Sequence, residues 1–365
     1  MSGEFGIGIV GAGSIARGGH IPGYLSIPDR CRVVAIADIE IGRAKKLAAE
    51  FDIPYVFNSH EKLLEVDEVD AVSVCTPPSA HAPATIEALK SGRHVMTEKP
   101  MAVDLTAARD MVAAAHTAGR VLAVDFQTRF IAQAQAMKQF IDSGELGNIY
   151  FARASYVRQR GIPARGAFHS KEKSGGGALM DIGVHVLDAC LWLMGFPTAV
   201  SASGSVFREL VTQENVFNPM GQWDRATSDV EESAVGLIKF ASGAAMTLEC
   251  AWALNVASTK FGIDLAGNSG GGQVQFEEAK HGDPGTSPLA VFKDNGRMLL
   301  DWTPNPGAPP RDLPTPHTLS MQNFVTAATE GSDPLVTGDQ GLVISTIVDA
   351  LYRSAASGRE VIIEP

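Results

Sequence analysis

The feature that most constrains this chain is a regular alternation over its first third. From Phe5 to about Phe126, the apolar, β-rich runs IGIV, VVAIAD, AVSVCT, HVMTEK and VLAVDF are separated by helical stretches such as RAKKLAAE and ATIEALKSG. Strands covered by helices on both faces are apolar along their whole length, so this rhythm predicts an α/β fold with a doubly wound parallel sheet of the Rossmann type. The run from Leu105 to Gly119 suits a covering helix, with Ala, Leu, Met and Val on one face and Gly119 as its stop.

After Phe126 the rhythm changes. A helix near Ala132 to Ser143, a strand near Ile149 to Arg160 and a long helix from about Ala178 to Met194 give way to strands in succession. Val230 to Phe240 and Ala244 to Ala253 flank the turn Ala241-Ser242-Gly243, and Lys260 to Ala266 leads through Gly267-Asn268-Ser269-Gly270 into another strand. These predict a C-terminal α+β domain on an open, largely antiparallel sheet. At 365 residues the chain exceeds what one core usually organises, so two domains sharing a cleft are expected, at 1–128 and 129–365. The C-terminal helix Gly338 to Ser357 is free to pack back on the first, and the Pro-, Gly- and Asp-rich stretch 280–316 reads as irregular connection around short strands. Apolar residues on both faces of Val235-Gly236-Leu237-Ile238 and Ala245-Met246-Thr247-Leu248 predict a homodimer or homotetramer.

Composition removes several classes of function. A formal charge of −11 with no long basic run excludes a phosphate-backbone reader, so no nucleic-acid partner is expected. Cys31, Cys75, Cys190 and Cys250 are far apart with no C-x-x-C pair, which suggests neither a metal site nor a disulfide framework. No basic-then-apolar leader opens the chain and no apolar run of ~18 residues follows, so a cytoplasmic location and no membrane partner are expected.

Gly11-Ala12-Gly13-Ser14-Ile15-Ala16 follows the first strand and opens a helix, giving G-x-G-x-x-A in strand–turn–helix context. Glycines there let backbone approach a pyrophosphate, and the helix N-terminus attracts its charge. Asp38 ends the second strand, where a carboxylate accepts hydrogen bonds from adenosine ribose hydroxyls and repels a 2′-phosphate. NAD is therefore expected over NADP. Lys99, in Thr97-Glu98-Lys99-Pro100, follows a parallel strand at the end where ligands gather. Gly175-Gly176-Gly177 leads to Asp181 and His185, spaced i, i+4 on the long helix, with Asp188 and Trp192 continuing that face.

Taken together, GAGSIA, AD at the end of the second strand, CTPPSAH, EKP and GGG…DIGVH resemble the Gfo/Idh/MocA oxidoreductases, a family that includes inositol dehydrogenases and glucose–fructose oxidoreductase. The resemblance extends over nearly the whole chain. It implies that Lys99, Asp181 and His185 are the catalytic residues, that Thr76, Pro77 and His81 lie along the dinucleotide, and that Glu98 contacts the ribose near the nicotinamide. It also implies that Gln127 approaches the nicotinamide from the domain-crossing stretch Asp125-Phe126-Gln127-Thr128-Arg129-Phe130, where Asp125 replaces a common Gly.

Oxidation of a secondary alcohol moves a hydride to nicotinamide and a proton to a base, for which an imidazole is suited. His185 is the preferred base, Lys99 a donor to the developing alkoxide, and Asp181 a carboxylate that positions substrate hydroxyls or tunes the imidazole. The residues leave open the reverse assignment, with Lys99 as proton acceptor. For the substrate, alternation on the strand near Ile149 to Arg160 places Tyr156, Arg158 and Arg160 on one face, with Arg165, Phe168 and His169 following; aromatic and multi-donor groups suit a polyhydroxylated ring. The loop Arg208 to Thr227, with Trp223 and Asp224, is long enough to fold over such a pocket. The expected activity is NAD-dependent oxidation of a sugar, glycoside or cyclitol. The alternatives are a redox-neutral enzyme that retains NAD and passes through a transient keto-sugar, and a non-catalytic NAD sensor, against which intact Lys99, Asp181 and His185 argue.

Overall fold

The computed structural model describes residues 5–164, 166–276, 289–294, 296–304 and 314–364. The chain divides into two compact units, 1–127 with 314–345, and 128–313 with 346–365. From sequence, 129–365 reads as the second domain, with its C-terminal helix free to pack back on the first; in the structure the segment 314–345, which includes the start of that helix, belongs to the first unit. The reason is packing, because Met321, Phe324 and Val325 of the helix Pro316–Glu330 are fully buried in the same core as Ile7, Ile9 and Ile36.

In the first unit, β1 (Phe5–Val10), β2 (Cys31–Ala37), β3 (Tyr55–Phe57), β4 (Ala71–Val74), β5 (His94–Thr97) and β6 (Leu122–Val124) form a parallel sheet in the order β3-β2-β1-β4-β5-β6. This is the doubly wound order of dinucleotide-binding sheets, with its reversal between β1 and β4. Strand burial is nearly continuous, β1, β2 and β4 having almost no exposed position. Asp104 caps the helix Leu105–Ala118 by accepting from Ala107 N at 2.8 Å, and Gly119 ends it in the left-handed conformation. Thr315 caps Pro316–Glu330 in the same way, with Pro316 in the first turn, and so fixes His317 at the start of that helix.

The second unit is built on β7 (Ile149–Val157), β8 (Ala199–Phe207), β9 (Ser233–Phe240), β10 (Ala245–Ala251), β11 (Lys260–Gly267), β12 (Gly271–Gln275), β13 (Leu289–Asp294), β14 (Leu299–Trp302) and β15 (Val361–Ile362). They pair in the order β14-β13-β12-β11-β7-β10-β9-β8-β15. Among the described residues, each pair of neighbouring strands is antiparallel except β10 with β7. The sheet is therefore mixed and largely antiparallel. One face is covered by helices, among them Val184–Leu193, all of whose residues are buried. On the other, Val235 and Leu237 remain exposed.

Three local expectations change. β7 stops at Val157, not Arg160: Arg158 N makes the last backbone bond to β10, to Ala251 O, and the chain then turns into Gly161 and Pro163. The expected helix from Ala178 to Met194 contains a π-helical turn, Leu179–Gly183, closed by Val184 N donating to Leu179 O. Residues 171–193 are also long and apolar enough to cross a membrane, contrary to the reading of the sequence, but 94% of that apolar window is buried, as in a core helix. About half of the stretch 280–316, expected as irregular connection around short strands, lies outside the described residues; β13 and β14 are short strands within it.

Candidate functional site

In the first unit the Gly-rich turn is built as its motif requires. Gly11 has φ +98°, and a Cβ there would lie 2.7 Å from the carbonyl of Cys75. Glycine is needed for both conformation and space. Gly13 and Ser14 are exposed, and Ala16 is fully buried, so the third motif position packs helix on strand while Ile15 is half-buried. Helical conformation begins at Ser14 and continues through a π-helical turn, Ala16–His20, into Ile21–Leu25. Asp38 Oδ2 accepts from Ala12 N at 2.7 Å and Oδ1 from Glu40 N at 2.8 Å, which ties the end of β2 to the turn after β1.

Along the carboxyl ends of β4 and β6, the buried atoms Thr76 Oγ1, Asp125 Oδ1 and Gln127 Oε1 have no hydrogen-bond partner. Buried polar atoms are rarely orphaned unless a ligand satisfies them. With the cradle at Gly11 they fit a dinucleotide laid across these strand ends. Lys99, half-buried, follows β5 on the same edge, and Pro77 is exposed beside Thr76.

Two residues expected at the cofactor face inward instead. His81 is fully buried, its ring nitrogens each 2.8 Å from a backbone carbonyl, those of Thr76 and Pro100. Burial lowers its pKa and favours the neutral ring. It braces the turns that flank the edge and does not present itself to a ligand. The Glu98 carboxylate is also turned in: Oε1 accepts from His20 Nε2 at 3.0 Å, and Oε2 from Lys99 N at 3.0 Å.

This inward turn creates a cluster that sequence reasoning missed. His20 Nδ1 is hydrogen-bonded with Ser73 Oγ at 2.6 Å, and Tyr24 donates to the same oxygen at 3.1 Å. His20 Nε2 is 3.5 Å from Asp125 Oδ2, which accepts from His317 Nδ1 at 2.7 Å. Burial works against charge on His20, yet Cys75, Asp125 and Glu98 outweigh it and hold its pKa well above the ordinary value. His317 is raised as well, burial being outweighed by Asp125. Burial alone would raise Asp125, but His317 and His20 hold its carboxyl well below the usual range. The one signal in the sequence was Asp125 itself, in place of a glycine.

In the second unit, Asp181 lies on the π-helical turn and His185 one turn later, buried. Asp181 Oδ2 accepts from Trp252 Nε1 at 2.9 Å, and Trp252, at the end of β10, is fully buried. The Gly-rich segment ahead of them is anchored by Glu231, whose Oε1 accepts from Gly177 N (3.0 Å), Leu179 N (3.1 Å) and Tyr352 OH (2.9 Å). A Cβ on Gly177 would sit 1.9 Å from Glu231 O, so that glycine is required by close packing. Burial raises the Glu231 pKa against these bonds. Trp252, Glu231 and Tyr352 were not anticipated; a buried pair of acids, Glu231 and Glu232, just ahead of an apolar strand was the available signal.

The π turn precedes His185, and Asp188 follows His185 in regular α-helix. Asp188 meets Arg129 in a fully buried bidentate pair, at 2.6 and 2.9 Å. Trp192 lies under Lys138, 5.9 Å from its Nζ.

The expected row of substrate residues is not a strand face. Tyr156 is buried and stacked on Phe261 at 4.0 Å; the Arg158 guanidinium lies 5.2 Å from its ring centroid and donates to its hydroxyl at 3.0 Å. Arg160, beyond the strand, donates to Leu254 O (3.0 Å) and Asn255 Oδ1 (2.6 Å). His169 stands between Trp223 and Trp252, with ring nitrogens at Pro163 O (2.5 Å) and Ser228 Oγ (3.0 Å). The loop carrying Trp223 is pinned by Asn218, which exchanges hydrogen bonds with the backbone of Ile162. Arg165 lies outside the described residues.

Known proteins bear the same pattern. Residues 5–126 match an oxidoreductase family with an NAD-binding Rossmann fold, and residues 134–271 match the GFO/IDH/MocA C-terminal domain. The D-glucoside 3-dehydrogenase of Escherichia coli (strain K12) is 33% identical over 97% of this chain and 96% of its own. The 1,5-anhydro-D-fructose reductase of Ensifer adhaerens is 27% identical over 98% of each. An oxidoreductase domain protein from Kribbella flavida shares the fold, with a TM-score of 0.86 at 23% identity over 99% of this chain and 100% of that one. On these matches, and on a parallel sheet whose turn and edge fit a dinucleotide, the chain is a member of the Gfo/Idh/MocA family of oxidoreductases and carries an NAD-binding Rossmann domain.

Proposed function

We propose that the chain oxidises a secondary hydroxyl of a glycoside, sugar or cyclitol to a ketone, with NAD in preference to NADP. The observation that carries this reading is Asp181 held by the buried Trp252 one turn before His185, on a helix whose start is anchored by Glu231. Such anchoring presets an acid and an imidazole for a polyhydroxylated ligand. Bound NAD supplies the hydride acceptor. His185 takes the hydroxyl proton, Asp181 accepts a hydrogen bond from a neighbouring hydroxyl, and Lys99 stabilises negative charge on the reacting oxygen. Gly11, Gly13 and Ser14 receive the pyrophosphate, and Asp38 the adenosine ribose.

A glycoside is the substrate favoured by similarity to D-glucoside 3-dehydrogenase, which points to the 3-hydroxyl. Following NADH formation with NAD across glucosides, aldoses and inositols tests the reading. Turnover with glycosides is expected, and no turnover with any of the three classes would refute it.

A further inference from the structure

His20, Glu98, Asp125 and His317 form a buried unit of two imidazoles and two carboxylates, joined at 3.0, 3.5 and 2.7 Å. Glu98 and Asp125 immediately follow β5 and β6, and Ser73, the partner of His20, is in β4. The Gly-rich turn after β1 and Asp38 at the end of β2 mark the adenosine half of the crevice. In a sheet of order 3-2-1-4-5-6 the second mononucleotide then lies over β4, β5 and β6. The cluster is thus beneath the nicotinamide half, a placement that rests on reading Asp38 as the ribose ligand.

The oxidised nicotinamide ring carries one positive charge more than the reduced ring. We propose that this cluster is a titratable counter-charge for the nicotinamide, so that the proton on His317 sets the chain's preference between NAD+ and NADH. With both imidazoles protonated the unit is neutral. Loss of one proton leaves it at −1, which attracts the cationic ring and leaves the neutral one unaffected. His317 is the member that titrates against solvent, since its side chain is 25% exposed while those of His20 and Asp125 are fully buried. Asp125 Oδ1, buried and unpartnered, gives the charge an open side. Among the described residues, the other titratable groups facing the unit are Cys75 and Tyr24 beside His20, and Lys99 and His81 beside Glu98. Burial keeps Tyr24 protonated and His81 neutral.

The test is direct binding of NAD+ and of NADH to the full-length protein by calorimetry, from about pH 6 upward through about pH 9. In the wild type the ratio of the NADH to the NAD+ dissociation constant should rise about five-fold with pH, the effect of one charge several ångströms away in a partly screened site. His317→Gln fixes the unit at −1, so its ratio should be flat at the wild-type high-pH value. Asp125→Asn removes a negative charge and the partner that holds the His317 proton, so its ratio should be flat at the low-pH value. A flat ratio in the wild type, or the wild-type slope retained in His317→Gln, overturns the proposal. If neither nucleotide binds at any pH, the cofactor reading fails and the proposal with it; if both bind but no sugar is oxidised, only the proposed reaction fails.

Discussion

At the scale of single residues, His185 and Asp38 separate chemistry from binding. If His185 accepts the hydroxyl proton, His185→Ala should lower kcat by ~10²–10⁴-fold and leave the NAD dissociation constant unchanged. Only the neutral imidazole accepts a proton, so wild-type kcat should climb with pH through one titration, and that limb should be missing in the variant. Steady-state kinetics beside NAD titration check both; near-normal turnover with an unchanged profile would pass the role of base to Lys99. Asp38 holds two backbone N–H groups with its two oxygens, which sets it at the end of β2 facing the turn. Asp38→Ala should weaken NAD by about ten-fold or more, as expected for lost hydrogen bonds to a charged group, and narrow its margin over NADP. Competitive titration of the two nucleotides measures that margin. A wild type that prefers NADP would contradict the role given to Asp38.

At the scale of elements, the long apolar helix divides its two acids: Asp181, on the π-helical turn, is bonded to Trp252, and Asp188, in the α-helix that follows, is bonded to Arg129. Removing one partner of a fully buried ion pair strands the other charge in a low-dielectric interior. Asp188→Asn should therefore lower stability by about 3–5 kcal/mol, read from urea unfolding, with kcat in the surviving folded protein little changed. A large loss of kcat without loss of stability would place Asp188 in the active machinery. The π turn also shows where legibility ends. Periodicity locates the helix, and i, i+4 spacing puts Asp181 with His185, because both are local patterns. The segment ahead of it is held by Glu231 against Gly177, a contact between distant parts of the chain that no local pattern encodes. The same holds for β7, whose end at Val157 is fixed by its partner β10 and not by its own alternation.

At the scale of the whole molecule, the doubly wound parallel sheet is legible because near-continuous apolar strands and Gly-rich turns are written in short segments. Contact between distant segments is not. His317 meets Asp125 across 192 positions, and the helix that carries it reads from sequence as part of the second domain. Asp125 is visible as a departure from the family pattern, but its partners are not. The open face of the large sheet leads to a further expectation: Val235 and Leu237 on β9 are 43% and 38% exposed, and Phe292 on β13 is 38% exposed. Apolar patches of this kind are usually covered by a partner, which favours a homodimer or homotetramer. Light scattering at micromolar concentration should report an oligomer that Leu237→Glu weakens; a monomeric wild type would contradict it.

Hydride transfer from a sugar carbon to NAD is the central claim, and it is tested most directly with a glucoside carrying deuterium at C3. The expected result is NADH formed in step with the 3-keto product, deuterium recovered on the nicotinamide ring, and loss of both signals in His185→Ala. A product at the oxidation level of the substrate, formed without NADH accumulation, would point to a retained cofactor that re-reduces a transient keto-sugar, and the absence of deuterium from the nicotinamide of an active enzyme would contradict the claim.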